Sequence, residues 1–188
     1  MSETVFIVLF RGINVGGSKT AKMEVLRAAL TEAGFGSVAT YIQSGNVVLT
    51  ANMKAAQVAT KIESLFAETF GFSSRPTLRT ADAWKDMIAA NPFPEAAADH
   101  KKLHAVLLDG VPGEEAADRL RERALPTERF VVADGVLYLF TPEGFGTSKL
   151  AEALDRCLKV PLTARNWRTV VTLMEMADKA TLTLRKSS

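Results

Sequence analysis

Four short polar motifs in this 188-residue chain combine the residue types that hold an anion. The first runs from Arg11 to Thr20, RGINVGGSKT, directly after the apolar run Val5 to Phe10. Glycines at 12, 16 and 17 make the backbone turn tightly or let a ligand approach it. A strand, a glycine-rich turn and a helix start in that order are the parts of a phosphate loop, whose backbone N–H groups and positive helix end attract negative charge. The nucleoside-triphosphatase pattern GxxxxGK[ST] is not met. Gly12 and Gly17 have its gap, but Ser18 separates Gly17 from Lys19 and shifts the lysine out of register. Asp109, ending the apolar AVLLD, imitates a magnesium-holding strand and is an ordinary core-strand ending. The expected ligand contacts are therefore Arg11, Asn14, Ser18, Lys19 and the Gly16-Gly17 backbone.

The other motifs supply secondary contacts. Gln43, Ser44 and Asn46 stand at a hairpin tip, where Ser44-Gly45 reads as a two-residue turn capped by Asn46. A ferredoxin-like topology is expected to put this tip and the Gly12 to Thr20 loop at opposite ends of a sheet, so that they do not share a pocket. Thr147 or Ser148 reads as a helix N-cap, and Lys149 in the following turn opposes the helix dipole unless an anion offsets it. Asn166 reads as the cap of the last helix, with Arg165 and Arg168 at its positive end.

Catalytic and metal chemistry find less support. His100 and His104 are the two histidines. Their i, i+4 spacing would suit a metal on a helix, but they enter a strand-like run. Cys157 is the one cysteine, so an intrachain disulfide is excluded, and its spacing with Leu150, Leu154 and Leu158 marks a core position. No Ser-His-Asp or Cys-His set emerges. The sequence calls for no cofactor and no metal.

The elements that position these motifs follow from periodicity. Val5 to Phe10 reads as a strand covered on both faces. Met23, Leu26, Leu30 and Ala33 recur at helical spacing, with Gly34 as the stop. Strands follow at Val38 to Gln43 and Asn46 to Ala51, then a helix carrying Val58, Ile62, Leu65 and Phe66, and a short strand at Arg75 to Thr80 whose Pro76 favours an edge. A helix at 81–90 ends at Asn91-Pro92. The order then repeats: strand Leu103 to Asp109, helix Glu114 to Ala124, a hairpin around Asp134-Gly135, helix Ser148 to Leu158, strand Val160 to Ala164, and a last helix from about Asn166. Close hairpins exclude an all-parallel sheet. The expected fold is α+β: two tandem ferredoxin-like β-α-β-β-α-β halves with antiparallel sheets, at 1–80 and 101–165. A linking helix and Pro-rich connection occupy 81–100, and a C-terminal helix and tail occupy 166–188. These two helices are candidate covers for the bare sheet faces.

The net charge of +2 is too small to imply nucleic-acid binding. It is uneven, with eight Lys/Arg against four Asp/Glu from Ser148 onward, and six acids against two lysines from Asn91 to Asp118. Ser2 and Glu3 stand where a signal peptide has basic residues, and no apolar run reaches membrane length, so a cytoplasmic location is expected.

LFRGINVGG, TYIQSGNVV and RNWRTV together resemble a bacterial family, domain of unknown function 1697, over nearly the whole chain. The resemblance implies tandem ferredoxin-like halves and no established activity, cofactor or catalytic residue. It places Arg11, Gly12, Asn14, Gly16, Gly17, Tyr41, Gln43, Ser44, Gly45, Asn46, Arg165, Asn166 and Trp167 at signature positions. The chain departs from the pattern at Leu49, where an aromatic is expected, and at Arg168, where a smaller polar residue is expected.

The expected function is binding of a phosphate-bearing or other anionic small molecule, a nucleotide included, at the loop after the first strand. Two alternatives are a single-stranded nucleic-acid module, which needs exposed aromatics on its central strands, and a phosphoryl- or acyl-transfer enzyme by analogy of fold.

Overall fold

The apolar run after Glu3 forms β1 (Thr4–Leu9), which no neighbour interrupts with a charge. The computed structural model describes residues 3–15, 17 and 19–187; the expected contacts Gly16 and Ser18 lie outside the described residues. After β1 come α1 (Met23–Glu32), β2 (Gly36–Tyr41), β3 (Asn46–Ala51), α2 (Ala55–Phe70) and β4 (Thr77–Thr80). The sheet has the order β2-β3-β1-β4, with every pair antiparallel. Next are α3 (Ala81–Ala89), β5 (Leu103–Leu108), α4 (Ala116–Arg121), β6 (Arg129–Ala133), β7 (Val136–Phe140), α5 (Lys149–Leu158) and β8 (Leu162–Asn166). They give a second antiparallel sheet of order β6-β7-β5-β8, and α6 (Trp167–Ser187) closes the chain. The tandem ferredoxin-like α+β architecture is thus present in both halves.

Two compact units result. The first runs to Asp86 and takes back the chain from Thr172 onward; the second is Met87–Val171. Both α3 and α6 span a boundary between units. In the first unit, Phe6 and Val8 of β1 and Phe10 just beyond it meet Leu26 and Leu30 of α1 and Val58, Ile62 and Phe66 of α2 in one core. In the second, Val106 and Leu108 of β5 meet Leu120 of α4 and Leu150, Leu154 and Cys157 of α5. Cys157 is buried there, as its helical spacing predicts.

Helix ends follow local chemistry. Gly71 stops α2 in the left-handed conformation, its N–H bonding Ala67 O at 2.9 Å. Several boundaries shift from the sequence expectation. The β2–β3 connection is four residues, 42–45, because Tyr41 pairs with Asn46; Ser44-Gly45 is not a two-residue turn. Asp134-Gly135 is one, with φ of 49° and 73°. Strand β8 starts two residues later than expected, because Asp109 N–H already takes the Pro161 carbonyl at 2.8 Å.

Among the described residues no group of three or more His, Cys, Asp or Glu is arranged to hold a metal, and no helix is long and apolar enough to cross a membrane. His104 lies on β5 against the Phe145 ring, centroids 4.1 Å apart, with its Nδ1 buried and without a hydrogen-bond partner. Burial lowers its pKa from 6.5 to about 4. The unfolded chain therefore binds the extra proton first as pH falls. The stability contributed by neutral His104 is complete above pH 6.5 and is lost as pH drops toward 4. The loss should approach about 3 kcal/mol. Denaturant unfolding at pH 7 and pH 4.5 should show it, and His104→Phe should flatten that pH dependence.

Candidate functional site

In the first unit, β1 and β2 both run antiparallel to β3, so they are parallel to each other and end at the same edge of the sheet. The expectation that the Gly12 to Thr20 loop and the hairpin tip lie at opposite ends is overturned by this geometry. Helix α1 returns the chain to the start of β2, which then climbs back to the edge where β1 ended. Phe10 N–H donates to Gly45 O at 2.8 Å, joining the two loops at their roots. A Cβ on Gly45 would lie 2.6 Å from Ile13 Cδ1 and 2.8 Å from Phe10 Cβ, so only glycine fits at the junction.

Asn14 fixes the loop. Its backbone is left-handed, φ 57°, and its N–H donates to Lys19 O at 2.8 Å. Its side-chain Oδ1 accepts from Ala21 N–H at 2.8 Å, while Nδ2 donates to Ala21 O at 2.8 Å and to Gln43 O at 2.6 Å. Both amide hydrogens are used inside the protein. Asn14 therefore positions the loop through its side chain.

The hairpin tip is held in the same way. Asn46 is fully buried, and its Nδ2 donates to Tyr41 O at 3.0 Å and Ser44 Oγ at 2.9 Å. It too organises a loop and does not meet solvent. Ile42 adopts φ 46° while 52% exposed, a left-handed conformation that β-branched residues avoid. Gln43 and Ser44 are exposed beside it.

A third connection reaches this edge, and the sequence motifs do not reveal it. Ser74, buried between α2 and β4, donates its hydroxyl to Arg11 O at 3.1 Å. That bond brings the exposed Arg75 to the same edge as the exposed Arg11. The three connections, residues 10–22, 42–45 and 71–76, contain Arg11, Lys19, Lys22 and Arg75 and no acidic residue. Helix α1 begins here without a side-chain cap, and Glu24 in its first turn is the nearest acid in sequence. Arg75 is the one charged residue between Glu68 and Arg79, so no local pattern marks it, and the Ser74–Arg11 contact gives it its location.

The second unit supplies an internal comparison. Leu108 N–H donates to Gly135 O at 2.9 Å, the counterpart of Phe10 to Gly45. The three connections at that edge, residues 109–115, 134–135 and 159–161, carry Asp109, Glu114, Glu115 and Asp134 against one cation, Lys159. The same strand order thus tolerates a mainly acidic edge, so the basic set of the first unit is not a requirement of the fold.

The remaining expected contacts belong to the second unit and have local roles. Ser148 caps α5, accepting from Ala151 N–H at 3.0 Å. Lys149 pairs with Glu152 at 3.0 Å, a neighbouring carboxylate that offsets its charge. Asn166 caps α6 through Thr169 N–H at 2.9 Å. Arg165 donates to Thr163 Oγ1 and Ala164 O, both at 2.8 Å, and burial lowers its pKa to about 10.

Comparison with known proteins agrees with this frame. The model of the DUF1697 family, proteins of unknown function, matches residues 3–138. The chain belongs to this family. A solved structure of a conserved bacterial protein from Streptococcus pneumoniae is similar to this DUF1697 chain, with a TM-score of 0.74 and 26% identity over 94% of this chain and 99% of the other. No curated protein matches.

Replacing Asn14 by alanine removes three side-chain hydrogen bonds and strands Ala21 N–H. Denaturant unfolding of Asn14→Ala should show a loss of about 2–4 kcal/mol. Ile42→Gly should raise stability by up to about 1 kcal/mol, because glycine adopts positive φ without strain.

Proposed function

We propose that this DUF1697 chain binds the anionic group of a small molecule at the edge of its first sheet. The observation that carries this reading is the convergence of three connections bearing Arg11, Lys19 and Arg75 with no carboxylate among them. Arg11, Lys19 and Arg75 are exposed, and positive groups gathered at one edge raise the local potential that attracts an anion. The clamp by Asn14 and the buried Asn46 holds the loops in place before any ligand arrives, which lowers the entropy lost on binding. The uncapped start of α1 adds N–H groups without a side-chain acceptor.

Binding fits better than turnover, since these connections contain no histidine, cysteine or carboxylate to serve as general acid or base. Nucleic-acid stacking has less support. Phe6, Phe10 and Tyr138 are buried, and Phe140 packs against Phe93 and the Arg129 guanidinium. A stacking sheet needs such rings exposed.

Calorimetric titration with phosphate and pyrophosphate checks the proposal. Binding should weaken as salt rises. The triple variant Arg11→Ala, Lys19→Ala, Arg75→Ala should lose at least about tenfold in affinity, the effect of about 1.4 kcal/mol. No heat from wild-type protein with either anion, at low salt, would remove the reading.

A further inference from the structure

Two aliphatic side chains stand exposed at the edge just described. Val15 is 70% exposed and Ile42 is 52% exposed. Isolated surface aliphatics need no explanation, but these two are tied together. Val15 follows Asn14, Ile42 precedes Gln43, and Asn14 Nδ2 donates to Gln43 O at 2.6 Å. Val15 and Ile42 are therefore each one residue away from the hydrogen bond that joins the loops, which holds both chain positions at this edge. Ile42 is also the position where the hairpin retains a left-handed backbone, φ 46°, on a β-branched residue. Glycine would relieve that strain, so retaining isoleucine in water favours a use for its side chain. Gln43, beside Ile42, is exposed, and the clamp engages only its backbone carbonyl. Its carboxamide offers one acceptor and two donors.

The edge thus combines three kinds of recognition: cations at Arg11, Lys19 and Arg75, an aliphatic pair at Val15 and Ile42, and an amide at Gln43. Inorganic phosphate would use only the first. A ligand that uses all three has an anionic group, a flat apolar ring and a hydrogen-bonding ring edge. We propose that the ligand of this edge is a nucleotide, with its phosphate on the cations, its base against Val15 and Ile42, and the base edge read by Gln43. This rests on the anion-binding reading above and narrows it to a substrate class.

The test is calorimetric titration of the full chain with inorganic phosphate, ribose 5-phosphate and the four common nucleoside monophosphates. At least one nucleotide should bind about tenfold or more tighter than ribose 5-phosphate, the gain expected from burying roughly 50 Å² or more of ring surface. Ile42→Gly and Val15→Ser should each erase most of that gain and leave ribose 5-phosphate affinity within about twofold. Ile42→Gly removes a strained conformation, so its unfolding temperature should stay at or above that of the wild type, which separates lost recognition from lost folding. Gln43→Ala should reduce discrimination among the four bases. If phosphate, ribose 5-phosphate and all nucleotides bind equally through Arg11 and Lys19, the nucleotide assignment is overturned and the anion site stands. If none of them binds, the anion reading itself fails.

Discussion

One carboxamide organises the loop edge of the first unit. Asn14 accepts from Ala21 N–H and donates to Ala21 O and Gln43 O, all within 2.6–2.8 Å. The first two bonds close the Gly12 to Thr20 loop on itself in the manner of a backbone pair. The third ties that loop to the hairpin between β2 and β3. A loop of this length without regular structure would otherwise sample many conformations, each residue fixed at a cost of about 1–2 kcal/mol. Asparagine suits the position twice over, because its backbone tolerates φ 57° and its side chain supplies both donor and acceptor. Arg11, Lys19, Val15 and Gln43 inherit their places from this clamp.

The two halves of the chain separate what the scaffold requires from what a site adds. Phe10 to Gly45 in one half and Leu108 to Gly135 in the other are the same bond in the same frame. Both follow from a central strand whose end meets a neighbouring hairpin. The side chains hung on that frame differ in net sign: Arg11, Lys19 and Arg75 on one, Asp109, Glu114, Glu115 and Asp134 with the single cation Lys159 on the other. Fold stability therefore leaves the loop chemistry open, and selection on loops is where DUF1697 chains of this architecture would acquire a binding preference.

Asn14 and Ile42 also share a departure from ordinary backbone geometry, and the direct bond between Asn14 Nδ2 and Gln43 O places their segments together. Gly45 next to them is packed against Ile13 and Phe10 so closely that no side chain fits. Tight packing beneath and left-handed residues above give a rigid tip, in contrast to the adaptable surface of an ordinary hairpin turn. The second hairpin closes differently, through the two-residue turn Asp134-Gly135, whose residues accept positive φ readily.

The sequence alone determined the elements and their repetition, because apolar periodicity, glycine stops and Asn-Pro breaks are local signals. Val5 to Phe10, the Met23–Leu30 stripe and the Asp134-Gly135 hairpin all form as their spacing predicts. It also placed a cap at Asn166 and at Thr147 or Ser148, since a cap is read within four residues, and the structure selects Ser148. Tertiary structure decided which motifs meet. That β1 and β2 end at one edge depends on both pairing with β3, a long-range choice invisible in any window of sequence. The same pairing made Asn14 a clamp, left Lys149 to its neighbour Glu152, and brought Arg75 to Arg11 through Ser74. Side-chain chemistry is local, but the partner that consumes or frees it is chosen by strand order and register.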